Sequence, residues 1–417
     1  MRSPSSGTVL FAPETFNLAE VTRGIEVARR MDGACVFAGY SARCAHVIEE
    51  AGFEFRFLEP ELTDAQADQL LSLDQGRGLR HPFTAAMLAE RVRNERALIR
   101  ELQASAVVIG TTMSQLISAR AENVPVVYVK PFAYSIPHVR QMRSTGFLPR
   151  RTPIHRCLDA VVSTAVRTVV PRVPLVPRSF PRVARAHGVT LPSTVLQALD
   201  GDLNLITTAP HLLPRNVRLP ASYRVVGPIF ASLPGEIPGL VAELAARPEP
   251  LVYFAVGSSG NRDLVRSVLR AMAGAHCQVI APVRHLLTDE DVDTLPHNVH
   301  VTGWLPVDRL GSVIDLAITH GGEGTVQTSS TQGWPFIGIP LQLEQRFNVQ
   351  RCVDFGSARL VTPHQARRAN WPALVTDALG DDRLRERATR MADLLRTLDG
   401  PGTAATYIGA LAGRAPR

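Results

Sequence analysis

Short β-branched runs alternate with stretches of helical periodicity from one end of the chain to the other, and that alternation calls for parallel sheets joined by crossover helices. In the first half the runs are Val9–Ala12, Ala34–Gly39, Phe53–Leu58, Ala106–Gly110, Val124–Val129, Leu158–Ser163, Leu203–Thr208 and Tyr223–Gly227. In the second half they are Leu251–Gly257, Cys277–Val283, Val299–Trp304, Leu316–His320 and Pro335–Pro340. A chain of 417 residues is too long for one hydrophobic core, and at about 150 residues per domain we expect two domains. Gly227-Pro228 and the stretch after it, with Pro234, Gly235, Pro238, Gly239 and Pro248, have the composition of a linker. The expected α/β architecture is two doubly wound, Rossmann-like domains facing across a cleft. They are residues 1–228 and 249–395, with a linker over 229–248 and a C-terminal helix in 396–417 packing back towards the first domain. Ligands of such sheets bind beyond the carboxyl ends of the strands.

Composition narrows the class further. Apolar residues make up 45% and charged residues 20% of the chain, which excludes intrinsic disorder. No apolar run approaches the roughly 18 residues of a membrane span, and the N-terminal apolar stretch is too short for a signal peptide, so a soluble cytoplasmic protein is expected. The five cysteines, Cys35, Cys44, Cys157, Cys277 and Cys352, are scattered and suggest neither a disulfide framework nor a zinc site. The formal net charge of +7 points to anionic partners, but Lys130 is the only lysine, and an arginine bias of that degree is equally a mark of a GC-rich genome.

The richest segment runs from Leu316 to Pro340, a buried strand, a glycine turn, a helix and another strand. Glycines at 321, 322 and 324 allow close approach of a ligand, and the helix that follows presents N–H groups and a positive dipole end, the makings of an anion site. Thr325 adds a hydroxyl, and His320 stands at the strand end with an imidazole N–H for a phosphate oxygen. A glycine turn made only for tight packing, with His320 closing a strand, is the alternative. Around this segment lie Gly303-Trp304-Leu305-Pro306 upstream and Ile339-Pro340-Leu-Gln-Leu-Glu344-Gln345-Arg-Phe-Asn348 downstream.

In order and spacing these three motifs resemble the inverting nucleotide-sugar glycosyltransferases of the GT-B fold, the family of the UDP-glycosyltransferases and the antibiotic and macrolide glycosyltransferases. The resemblance is dense over about residues 249–360 and sparser before them. It implies that Trp304 stacks on the donor base while the backbone of Leu305 reads its edge. It also implies that His320, Gly322, Gly324 and Thr325 hold the diphosphate with Gly257 and Ser258, and that Glu344 and Gln345 bind sugar hydroxyls while Asn348 braces their loop. Plant-type relatives carry Gln and Glu where this chain has Val307 and Thr328. The missing carboxylate suits a thymidine nucleotide, which lacks a ribose 2′-hydroxyl, so the donor is expected to be a dTDP- or UDP-sugar.

The N-terminal half departs from the family pattern. Aligned on Val21, Glu20 stands where relatives place a catalytic histidine, and Thr111, Thr112 and Ser114 occupy the loop where the partner aspartate is expected. Glu20 is therefore the candidate base. Its alternative is structural, since Asn17-x-x-Glu20 is also a capping-box pattern ahead of Val21, Ile25 and Ala28. Between Lys130 and Arg185 eleven cations face the single acid Asp159. The family's acceptor loops lie in that region, which gives Tyr134 and His138, beside Thr112 of the loop after Gly110, as acceptor-binding candidates and an anionic acceptor as one option, with peripheral contact with an anionic membrane or a merely solvated face as others. Nucleic acid is disfavoured by the few aromatics in the run. The expectation is an inverting glycosyltransferase acting on a small molecule, with a nucleotide-sugar co-substrate and neither metal nor cofactor. The alternatives are a non-catalytic nucleotide-binding auxiliary relative and, more distantly, a sugar-nucleotide epimerase. Oligomeric state is left open between monomer and homodimer.

Overall fold

The computed structural model describes residues 7–74, 78, 81–145, 152–174, 177–198, 200–230, 235–256 and 261–413. The chain divides into two compact units, one of Met1–Ser144, Thr152–Ala231 and Asp399–Arg417, the other of Thr145–Arg151 and Ser232–Leu398.

The first unit holds β1 (Val9–Ala12), α1 (Leu18–Ala28), β2 (Cys35–Gly39), α2 (Ala45–Glu50), β3 (Glu54–Phe57), α3 (Asp64–Asp74), α4 (Ala85–Glu101), β4 (Ala106–Ile109), α5 (Met113–Ala121) and β5 (Val126–Lys130). It continues with α6 (Ile136–Gln141), α7 (Pro153–Val169), α8 (Ser179–Ala186), α9 (Val195–Ala198), β6 (Leu203–Ile206) and β7 (Tyr223–Val225). Its seven parallel strands run in the order β3-β2-β1-β4-β5-β6-β7, with Val9 paired to Cys35 on one side and to Ala106 on the other. Because side chains alternate along a strand, Leu10 and Ala12 of β1 enter one core with Leu88, Val92 and Leu116, while Val9 and Phe11 enter another with Val21 and Ile25.

The second unit holds α10 (Gly239–Ala245), β8 (Leu251–Ala255), α11 (Arg262–Arg270), β9 (Gln278–Ala281), α12 (Asp289–Asp293), β10 (Val299–Val301), β11 (Leu316–Thr319), α13 (Glu323–Gln332), β12 (Phe336–Gly338), α14 (Leu343–Phe355), β13 (Ala358–Leu360), α15 (Pro363–Ala366), α16 (Trp371–Leu379) and α17 (Asp382–Arg396). Its sheet, β10-β9-β8-β11-β12-β13, repeats the first unit's order without the last strand. The final helix, α18 (Gly400–Ala412), packs on α1 of the first unit through Ala404, Ile408 and Ala412.

Two expectations fail. Leu158–Ser163 is helical and lies inside α7, because Thr152 accepts from the His155 N–H as N-cap and Pro153 opens the first turn, so the short run is carried as helix. Strand β13 was not anticipated, since its three residues include Arg359 and only Ala358 is fully buried.

Candidate active site

In the first sheet the strand order reverses between β1 and β4, and loops leaving their carboxyl ends carry the candidate base. Glu20 lies in the first turn of α1, whose N-cap is Asn17, its side chain accepting from Ala19 N–H. The capping-box alternative is not what forms. Instead of turning back to Asn17, the Glu20 carboxylate bridges two loops: Oε2 accepts from the Glu14 N–H at 3.0 Å and the Thr111 N–H at 3.2 Å, and Oε1 from the Thr111 hydroxyl at 2.9 Å. Gly110 makes room for it, since a methyl group there would sit 1.6 Å from Oε2. Thr111 thus fills the position expected of an aspartate with donors rather than acceptors, which is the partner a carboxylate requires where a histidine would require the opposite.

The acceptor-side candidates differ in exposure. Thr112 is buried, and its hydroxyl donates to the Ala12 carbonyl at 3.1 Å, tying the β4 loop to the end of β1. Tyr134 is exposed. His138 is buried on α6 with its ring edge-on to Phe132, and desolvation pushes its pKa down to about 4. Helix α7 is inverted: only Asp159 and Ser163 are buried, while Ile154, Leu158, Val161 and Val169 are exposed along one stripe.

In the second sheet the order reverses between β8 and β11. Gly257 and Ser258, in the turn after β8, lie outside the described residues. After β11, Gly321 takes φ +86°, a left-handed conformation natural only to glycine, and Gly322 caps α13. His320 packs so closely on Gly322 that a methyl group there would lie 2.5 Å from Nε2. The imidazole is buried, its pKa is pushed down to about 4 by desolvation, and its Nδ1 has no hydrogen-bond partner among the described residues. A buried polar atom without a partner is rare unless something outside the chain supplies one. In front of Gly324 the space is open, and the first turn of a helix leaves N–H groups without carbonyl partners. The Thr325 hydroxyl is committed internally, donating to Gly322 O at 2.9 Å and accepting from Thr319 at 2.7 Å.

Helix α14 closes this turn from behind. The Asn348 amide donates to the Gly321 carbonyl at 3.1 Å and to the Glu344 carboxylate, and the Gln345 side-chain carbonyl accepts from the Leu341 N–H at 2.8 Å. Asn348 therefore braces the loop, and Gln345, buried, has its acceptor occupied by the fold. Trp304 is 64% exposed, so it is not a core tryptophan, while Leu305 beside it is buried. Thr328 bonds back to the Gly324 carbonyl at 3.0 Å.

Sequence reasoning missed a buried polar cluster behind Glu20: Glu14 after β1, Tyr40 after β2, Arg91 and Glu95 on α4, and Ser114 and Ser118 on α5. Its signal was present in α4, where Arg91 and Glu95 share the apolar face with Leu88, Val92, Leu98 and Ile99.

Residues 266–405 match the family model for the C-terminal domain of erythromycin biosynthesis protein CIII-like proteins. The chain is 25% identical over 400 residues to a PGL/p-HBAD biosynthesis glycosyltransferase of Mycobacterium tuberculosis, covering 92% of this chain and 88% of that protein. Among solved structures, the spinosyn forosaminyltransferase SpnP superposes with a TM-score of 0.70 at 17% identity, covering 98% of this chain and all of SpnP. The glycosyltransferase VinC, solved in complex with dTDP, does so with a TM-score of 0.68 at 14% identity over 98% of this chain and all of VinC. With the fold shared along the whole chain and the sequence likeness running to glycosyltransferases, the protein is a glycosyltransferase with the GT-B fold.

Proposed function

We propose that the protein is an inverting, metal-independent glycosyltransferase that moves a sugar from a dTDP- or UDP-sugar to a hydroxyl of a small molecule. The observation that carries this reading is His320, buried beside the glycine-lined N-terminus of α13 with no partner for its Nδ1 among the described residues. A neutral imidazole and helix-end N–H groups suit a diphosphate, which they would hold in the ground state and stabilise more as it leaves. VinC's complex with dTDP, and Thr328 in place of a carboxylate, favour a thymidine nucleotide.

On the acceptor side, Glu20 is the proposed base. The acceptor O–H bond breaks, its proton goes to the carboxylate, and the oxygen forms a bond to the anomeric carbon from the face opposite the diphosphate. The C–O bond to phosphate breaks with its electron pair leaving on the nucleotide, so configuration inverts. The exposed apolar stripe of α7 suits an acceptor with a substantial hydrophobic body.

The test is incubation with dTDP- and UDP-sugars in the presence of EDTA, with slow donor hydrolysis and the anomer of any transferred sugar read by NMR. Hydrolysis that survives EDTA and an inverted product support the reading. If neither nucleotide changes tryptophan fluorescence or melting temperature at millimolar concentration, the donor site is wrongly assigned.

A further inference from the structure

Helix α7 is built inside out. Ile154, Leu158, Val161, Ala165 and Val169 recur at the spacing of one helix face, a pattern that in a doubly wound unit packs inward, yet Ile154, Val161 and Val169 are 72%, 62% and 58% exposed. The inward face is polar instead: Asp159 and Ser163 are buried, and the Asp159 carboxylate accepts from the Ser144 hydroxyl. That bond fixes which face points in, so the apolar stripe, about 22 Å long from Ile154 to Val169 at the helical rise, is left to solvent. A contiguous exposed apolar surface of this kind marks an interaction site. Its surroundings carry one sign of charge. Between Lys130 and Arg185 the only acid is the buried Asp159, so every exposed charged side chain described there is an arginine. Arg143, Arg156, Arg172 and Arg178 are among them, and none of these four forms an ion pair within the described residues.

We propose that α7 is a peripheral membrane-binding element, its aliphatic stripe entering the headgroup boundary of an anionic bilayer while the neighbouring arginines meet the lipid phosphates. Arg172 closes the C-terminal end of the stripe, its guanidinium bonded to the Thr168 carbonyl. Arg156 and Arg167 stand on the far side of the helix and act through the field of the whole run rather than by contact. Two other occupants fit less well. A second copy of the chain would set one cationic run against another with no exposed acid to pair. A protein partner is commonly anchored by aromatic side chains, and the stripe offers none; its row of Ile, Leu and Val can be covered by fluid hydrocarbon without a shaped complement, and anionic lipid supplies the opposite charge. A bilayer is also where an acceptor with a hydrophobic body would be concentrated. Lipid binding needs neither nucleotide nor Glu20, so it stands apart from the proposed transfer chemistry.

The experiment is co-sedimentation of the full chain with vesicles of phosphatidylcholine alone and of phosphatidylcholine with about 30 mol% phosphatidylglycerol, at about 0.1 and 0.5 M salt. It compares the wild type, the double variant Leu158→Glu/Val161→Glu and Arg172→Gln, with melting temperature and light scattering recorded without lipid. We expect binding to the anionic vesicles at the lower salt, weakened about tenfold or more at the higher salt and on phosphatidylcholine alone, because screening and loss of surface potential remove the arginines' share. The double variant should lose about tenfold or more in affinity at an unchanged melting temperature, since both side chains are exposed in the lipid-free protein. Arg172→Gln should lose about fivefold. Wild-type binding by the double variant, equal binding to both lipid compositions, or no binding to anionic vesicles at the lower salt each overturns the proposal. So does a lipid-free dimer that the double variant converts to monomer, which would give the stripe to a second copy of the chain. Should the double variant not fold, Ile154→Ser takes its place, and full affinity in that variant overturns the proposal.

Discussion

At the reversal of the first sheet, between the ends of β1 and β4, stand Glu14, Glu20, Gly110 and Thr111; at that of the second, the loop after β11 brings His320, Gly321 and Gly322 to the N-terminus of α13. Strand order and position are the same, and both loops use a glycine to let a functional side chain lie against backbone, Gly110 for Glu20 and Gly322 for His320. The chemistry is opposite. The first gathers carboxyl groups and gives one of them neutral donors, which orient it and favour its ionised form, the form a base needs. The second gathers a neutral imidazole and a helix N-terminus, which suits holding an anion. The topology supplies a place, and the residues that follow each strand decide what is done there. If this division holds, damage to the first reversal falls on turnover and damage to the second on donor affinity.

The largest expected effect is that of Glu20→Gln. The Gln carbonyl can keep the Glu14 and Thr111 N–H bonds while its NH2 donates to the Thr111 hydroxyl, which can turn to accept. Stability should therefore change little, while kcat falls about 10²- to 10⁴-fold. Glu20→Ala leaves those two N–H groups unpaired and should in addition cost about 1–3 kcal/mol in denaturant unfolding. Wild-type turnover by the Gln variant would break the comparison at its first term.

Gly110→Ala sharpens it without touching a reactive group. The added methyl would occupy the place of Oε2, 1.6 Å away, so the carboxylate must swing out. Displacement of a reacting group by about 1 Å costs on the order of 10²-fold, so kcat should fall by about that factor while the Kd for dTDP, measured by calorimetry, stays at its wild-type value.

How far this was legible beforehand differs between the two regions. The second site is written locally: His320, three glycines and Thr325 fall within six residues, and the strand before them is apolar on both faces. The first site is assembled from a distance. Glu20 stood out only by alignment, and its partner Thr111 lies 91 residues away. Arg91 and Glu95 broke the apolar period of α4, yet no local pattern says that a guanidinium there will lie on Tyr40, whose position depends on the sheet having formed. For the strands, runs buried on both faces were plain, whereas β13, with two of its three residues only partly buried, carried no periodicity to find.

A smaller effect is expected at His320. A hydrogen bond to a charged group contributes about 1.5–3 kcal/mol, so His320→Ala should weaken dTDP binding about 10- to 100-fold with a modest change in kcat at saturating donor. Its titration gives a second readout. The folded pKa, about 4, lies below the ordinary 6.5, so the native state binds fewer protons than the unfolded one over that interval. The stability this represents is complete above pH 6.5 and is lost as pH falls towards 4. His81 and His138 shift in the same direction to the same value, so His320→Ala should remove about a third of the acid-induced loss contributed by these three groups. An acid limb unchanged in the variant would mean that His320 is not held neutral by burial.

The smallest effect should come from Trp304, and it separates the base from the diphosphate within the donor. Sixty-four per cent exposed at the end of β10, the indole gains burial only if something flat lies on it. Offset stacking contributes about 0.5–1.5 kcal/mol beyond area, which corresponds to roughly 2- to 10-fold in affinity. Trp304→Ala should therefore weaken dTDP and UDP by about that factor each, leave inorganic pyrophosphate competition untouched, and cost little stability because no core packing is lost. Trp304→Phe should recover part of the nucleotide affinity, since a smaller ring still offers a face. Equal loss for nucleotide and pyrophosphate would instead mean that Trp304 supports the α13 anion site, and the separation of base from phosphate recognition would fail there.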